Sequence, residues 1–241
     1  MSRTSSIDTR LQRRLLCHQA LHDPAREPRN RLPRLSELRH WQAQRLRASF
    51  AHHLADSRTR PAAEFFLSDM YGDHDFSRRD ADIARVIPIM RPLLPAVLLD
   101  AVADAIALAA LSHAFDLRMA QALHDSSDAR RPLDATLYAR LYRQVAKPRL
   151  RAEQIRLIGS VGDGLNAALR IPGVHRMLRM ARLPARALGL GELQNFLERG
   201  FSAFALIGDT HAFLDAIVRD ELAVMRRLFA GSRDPFAGAL S

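Results

Sequence analysis

Apolar residues recur along this chain at helical rather than strand spacing. Leu38, Trp41, Leu46 and Phe50 form a loose stripe, and Ser36 stands where it can cap a helix running to about His53. Pro61 suits a first helical turn, which predicts a short helix over 62–71 closed by Gly72. Ser77 to Asp80 has the spacing of a capping box, and Ile83, Val86, Ile87 and Met90 follow at helical intervals before Pro92 and Pro95. From Ala96 to about His124, apolar side chains fall on nearly every face at 100° steps, as they do in a helix at the centre of its bundle. Asp134 can cap a helix ending near Ala146, and 149–169 continues as another through Gly159, Gly162 and Gly164. Pro172 and Pro184 each open a short segment. Helices over Glu192–Ile207 and Thr210–Phe229, parted by Gly208-Asp209, close the chain. No strand-length alternation bounded by turn dipeptides occurs, nor any fixed-period repeat. The reading is all-α: a single multi-helix bundle with a long, largely buried central helix. It spans 35–230, after a basic, mobile arm over 1–34 that Pro24, Pro28 and Pro33 interrupt, and before a tail over 231–241.

A chain of 241 residues with 48% hydrophobic and 26% charged positions can bury one large core, which excludes disorder over most of its length. The net charge of +10 changes the picture only through its placement. Of 36 basic residues only Lys147 is a lysine, leaving 35 arginines, a ratio that the codon bias of a GC-rich genome produces. Residues 1–60 hold 13 arginines against 5 acids, whereas 61–241 hold 23 basic residues against 21 acidic. The arm is therefore the place where weak, sequence-independent polyanion binding would reside. Specific nucleic-acid recognition is not expected, because no helix-turn-helix pattern and no aromatics interleave with the arginines. A single cysteine, Cys17, excludes an internal disulfide and fits a reducing compartment. The N-terminus lacks a signal-length apolar region, and the most apolar run, Leu93 to Leu111, is interrupted by Asp100 and Asp104. A cytoplasmic protein without a membrane span is expected.

Several polar residues fall where apolar ones belong. Glu221 lies inside the apolar arc of the last helix, and His113 lies on the line of Leu99, Val102, Ile106 and Leu117. Asp100 and Asp104, one turn apart, repel unless a cation intervenes. Inward carboxylates and histidines on facing helices build di-metal bundles, so these four residues are metal or ligand candidates. Against that, such sites use Glu-x-x-His pairs, and Glu37 with His40 lies off its apolar stripe. Pairing of the carboxylates with Arg78, Arg79, Arg85 or Arg118, and a satisfied core histidine at 113, is the structural expectation. A second candidate group, Asp73, His74 and Asp75, sits in a stretch dense in polar residues that also reads as a helix joint. No nucleophile motif appears, and GSVGDG (159–164) has no preceding strand, so its glycines point to close helix packing. Gly200 is placed likewise, on the seam of Leu193, Phe196, Leu197 and Phe204.

The segments FFLSDMYGDHDFSRRDADIARVIPIM, LSHAFDLRMAQAL and GFSAFALIGDTHAFLDAIVRDE resemble a family of uncharacterised proteobacterial proteins, with the shared pattern FFLxDxYGxxDFxxRDxD and a C-terminal GFxAF. The likeness runs from about Glu64 to Phe229 and implies an all-helical cytosolic protein, with no activity, cofactor or functional residue to carry over. The expected function is a non-catalytic scaffold that binds a protein or a small ligand. A metal-dependent helical-bundle enzyme and polyanion binding through the arm are the alternatives.

Overall fold

The computed structural model describes residues 3–70, 96–128 and 130–237. Eleven α-helices and no strand occur among them, so the fold is all-α. Helix α1 (Arg3–His22) leads through a 3-10 turn (Pro28–Arg31) to α2 (Leu35–Ser49), α3 (Ala51–Ala55) and α4 (Arg60–Phe65). The chain then passes through a π-helical turn, Phe66–Met70, where a longer α4 was expected. The proposed Gly72 stop, the Ser77 cap and the helix after it lie outside the described residues.

Helix α5 (Ala96–Asp125) is the centre. It packs against α1, α2, α6 (Ala135–Val145) and α7 (Pro148–Leu169), and its buried side chains, among them Leu99, Ile106, Phe115, Leu117 and Leu123, point to several sides. This follows from the absence of a polar face in its sequence. Helix α6 is its opposite, strongly amphipathic, with Leu137, Tyr138, Leu141 and Tyr142 buried together. Its start is set by Asp134, whose carboxylate accepts a hydrogen bond of 2.7 Å from the Leu137 amide, a cap worth about 1 kcal/mol. Beyond α7, short helices α8 (Val174–Met180) and α9 (Arg182–Ala187) lie on α10 (Gly191–Ala205), and α11 (Thr210–Phe229) returns along α7.

The glycines of α7 leave that helix unbroken and set its distance from two neighbours. A methyl group on Gly162 would collide with Leu214 of α11, and one on Gly164 with Ala101 of α5. Gly200 of α10 does the same for α4, since a Cβ there would stand 2.9 Å from the Phe65 ring. The resulting core has an aromatic end around Trp41, Tyr138, Tyr142 and Phe236, and a second cluster around Phe50, Phe66, Phe204 and Phe213. Leu11 of α1 closes a third with Leu99, Ala103 and Ile106. No single helix among the described residues is long and apolar enough to cross a membrane.

Candidate functional site

Helix α2 carries Arg39, Gln42 and Arg45, at intervals of three, among the buried apolar positions Leu35, Leu38 and Leu46 of one face. That face packs on α5, where Arg39 meets His113 and Asp116, and Arg45 reaches across to Glu221 of α11, so that a polar seam forms inside the bundle. Arg45 donates to both carboxylate oxygens of Glu221, with the Nη2 bond at 3.1 Å. The pair is buried, at 9% and 13% side-chain exposure. Burial opposes the Arg45 charge, but Glu221 beside it, with Tyr138 and Tyr142, outweighs that cost and holds the guanidinium pKa above its usual value. Such a pair contributes little net stability, yet removing one member leaves the other charge unpaired out of water.

Arg151 of α7 donates to the Tyr142 hydroxyl at 3.0 Å and to Gln154 Oε1 at 2.5 Å. Its guanidinium lies over the rings of Phe115 and Tyr142, at 4.8 and 5.1 Å, where the ring quadrupoles favour a cation. Gln154 passes the seam on to Ser112 of α5 at 2.6 Å. Burial pushes the Tyr142 hydroxyl pKa up, with Arg151 opposing.

Arg39 bridges the remaining groups. It donates to His113 Nδ1 at 2.8 Å and stands 3.6 Å from Asp116, whose pKa burial raises against the pull of Arg39 and Arg151. His113 Nε2 donates to Asn30 Oδ1 at 2.8 Å and to the Leu21 carbonyl at 3.1 Å. These partners fix the neutral ring with its proton on Nε2. The ring stacks on His22 at 3.9 Å, and His22 stacks on His18 at 4.1 Å. Burial, then the neighbouring His22 and Arg39, lower the His113 pKa to about 3.

The four inward candidates are thus all engaged, and they do not come together. Glu221 pairs with Arg45, Asp100 with Arg10 and Asp104 with Arg14, while His113 is held by Arg39 and Asn30. Each of the three carboxylates pairs with an arginine, and Arg118 is not among the partners. Arg78, Arg79 and Arg85 lie outside the described residues; the partners among the described ones come from α1 and α2, since α1 runs parallel to α5 with its arginines one turn apart, as the aspartates are. The cation between Asp100 and Asp104 is a pair of guanidiniums. Glu37 accepts from Arg34 and from the Leu133 amide, so the Glu-x-x-His pair is occupied at its first member. Asp73, His74 and Asp75 lie outside the described residues. No group of three metal-ligating side chains with metal-binding geometry occurs among the described residues.

A cleft of about 610 Å³ opens elsewhere, at the elbow where α10 and α11 meet in a bend of 101°. Phe204, Ile207 and Leu169 supply apolar walls, and Arg170, His175 and His211 stand at its polar side. Asp209 there caps α11 by accepting from the Ala212 amide at 2.9 Å. His211 lies 3.4 Å from Asp163 and 3.6 Å from Asp215. Sequence reasoning passed over these residues, and over Arg39, Arg45, Asp116 and Arg151 of the seam. The three-residue spacing of polar positions in α2 and the Gly208-Asp209 break were the available signals.

Residues 21–235 match the Domain of unknown function (DUF8198), and the chain belongs to that family. No curated protein and no solved structure matches it.

Proposed function

We propose that the chain is a non-catalytic helical scaffold whose internal charges serve the fold and whose small-ligand site is the elbow cleft between α10 and α11. The observation that carries this reading is the engagement of Glu221, His113, Asp100 and Asp104 by guanidinium or amide groups of the same chain. A carboxylate clamped by an arginine has its lone pairs turned away from any metal or substrate. The cleft supports the binding half of the reading: its lining is mostly polar, with Leu169, Phe204 and Ile207 as the apolar part, on a volume suited to a small polar molecule. The basic side formed by Arg170 and His175 favours a small ligand carrying a carboxylate or phosphate.

The test is metal analysis of protein dialysed against manganese, ferrous iron and zinc, joined to a thermal-shift screen of small aromatic carboxylates and phosphates. Far less than one metal per chain is expected, with stabilisation by some of the anionic compounds that Arg170→Ala removes. One equivalent of metal that disappears in Glu221→Gln would overturn the reading in favour of a metal-dependent bundle.

A further inference from the structure

Helices α8 and α9 form a layer one side chain thick on α10. Val174, Leu178, Ala181 and Ala185, spaced as a single helical stripe, are its buried or half-buried positions. The side chains between them face outward. Met177, Met180 and Leu183 are 58%, 70% and 77% exposed, and Leu188 follows at 56%. Single exposed apolar residues are ordinary, but four within twelve positions make a patch, and patches mark interaction surfaces.

Arginines are threaded through the same layer. Residues 174–190 contain four arginines and no acidic residue. Arg182 pairs with Glu198 of α10. Arg176 and Arg179 are exposed, with no carboxylate at ion-pair distance among the described residues. An exposed apolar patch and unneutralised guanidiniums therefore share one face.

Their chemistry selects the occupant. A second copy docked about a two-fold axis would set arginines against arginines, which repel. A protein partner of acidic character would answer the charge, but 174–190 offers no Trp, Tyr or Phe to anchor a packed interface. A lipid surface needs no shaped pocket. It receives Met and Leu below the headgroups, while arginines, with long apolar stems and charged tips, meet the phosphates. We propose that the outer face of α8 and α9 docks the protein peripherally on an anionic phospholipid surface, with Met177, Met180 and Leu183 entering the acyl boundary. This stands apart from the elbow cleft and does not rest on it.

The experiment is co-sedimentation of the full chain with vesicles of phosphatidylcholine alone, and of equal parts phosphatidylcholine and phosphatidylglycerol. Binding is expected to the mixed vesicles only. Arg176→Glu with Arg179→Glu should weaken it by at least about fivefold per residue. Met180→Ser with Leu183→Ser should weaken it by about tenfold or more at unchanged charge. These positions are exposed, so circular dichroism should match that of the parent. As an independent readout, Leu183→Trp fluorescence should shift to the blue when mixed vesicles are added. No binding to mixed vesicles, equal binding to neutral ones, or binding indifferent to the serine pair overturns the proposal. A dimer that the serine pair dissolves would assign the face to a second copy. Capture by soluble polyglutamate in preference to vesicles would assign it to an acidic polypeptide.

Discussion

Arg10 and Arg14 stand one turn apart on α1, and Arg176 and Arg179 stand nearly so on α8, yet the two pairs meet opposite surroundings. The α1 pair faces Asp100 and Asp104 across a helix contact, and the α8 pair faces outward among Met177 and Met180. The same residue type thus ties the fold together at one place and leaves a charged, apolar face at another. Charge density along a chain therefore speaks to partners only once the internal acids have been subtracted. By count the first 60 residues are the basic region, but in space Arg10, Arg14, Arg29, Arg34 and Arg45 are neutralised within the molecule.

The sharpest way to break this contrast is to remove residues 1–34. If α1 is structural, the loss of Leu11 and the uncovering of Leu99 and Ile106 should cost on the order of 5 kcal/mol, read in urea unfolding. A truncated chain as stable as the parent would return α1 to the role of a detachable arm. Next in size, Glu221→Ala should cost about 3–5 kcal/mol by leaving Arg45 buried and unpaired, and Glu221→Leu with Arg45→Met should recover most of it.

A third measurement varies pH. His113, at about 3, and His53, lowered to about 4 by burial first and His52 second, are neutral in the fold but take up protons near 6.5 when unfolded. The unfolded state then binds more protons over that interval. Stability should therefore hold above pH 6.5 and fall as pH drops toward 4, by up to about 1.4 kcal/mol per pH unit for each histidine. His113→Gln should flatten the slope. Smaller still, Asp100→Ala should cost less than about 1 kcal/mol because its pair with Arg10 is half exposed. The smallest effect belongs to the other region: Met180→Ser with Leu183→Ser should leave stability within about 0.5 kcal/mol per site, since neither side chain is buried.

Local signals carried the fold. The Asp134 cap, the limits of Thr210–Phe229 and the close approaches at Gly162 and Gly200 are all readable from neighbouring residues, because propensity, capping and periodicity act over a few positions. Glu221 and His113 were also visible as polar residues on apolar lines. Their partners were not, because Arg45 is 176 positions from Glu221 and Arg39 is 74 from His113, and no periodicity reports such a pairing. The α8 and α9 face was hidden differently. Its four arginines without an acid were averaged into a near-neutral 61–241, and nothing in the sequence tells which side of these short segments α10 covers, so the outward Met177, Met180 and Leu183 carry no signal there.

The parallel course of α1 and α5 also bears on synthesis. Arg10 meets Asp100 and Arg14 meets Asp104, so each rung joins residues 90 apart. A chain growing at about 5–20 residues per second needs roughly 5–20 s between making the first half of a rung and making the second. Throughout that interval α1 has no α5 to cover Leu11, and its early turns must wait, exposed, for the helix that completes them.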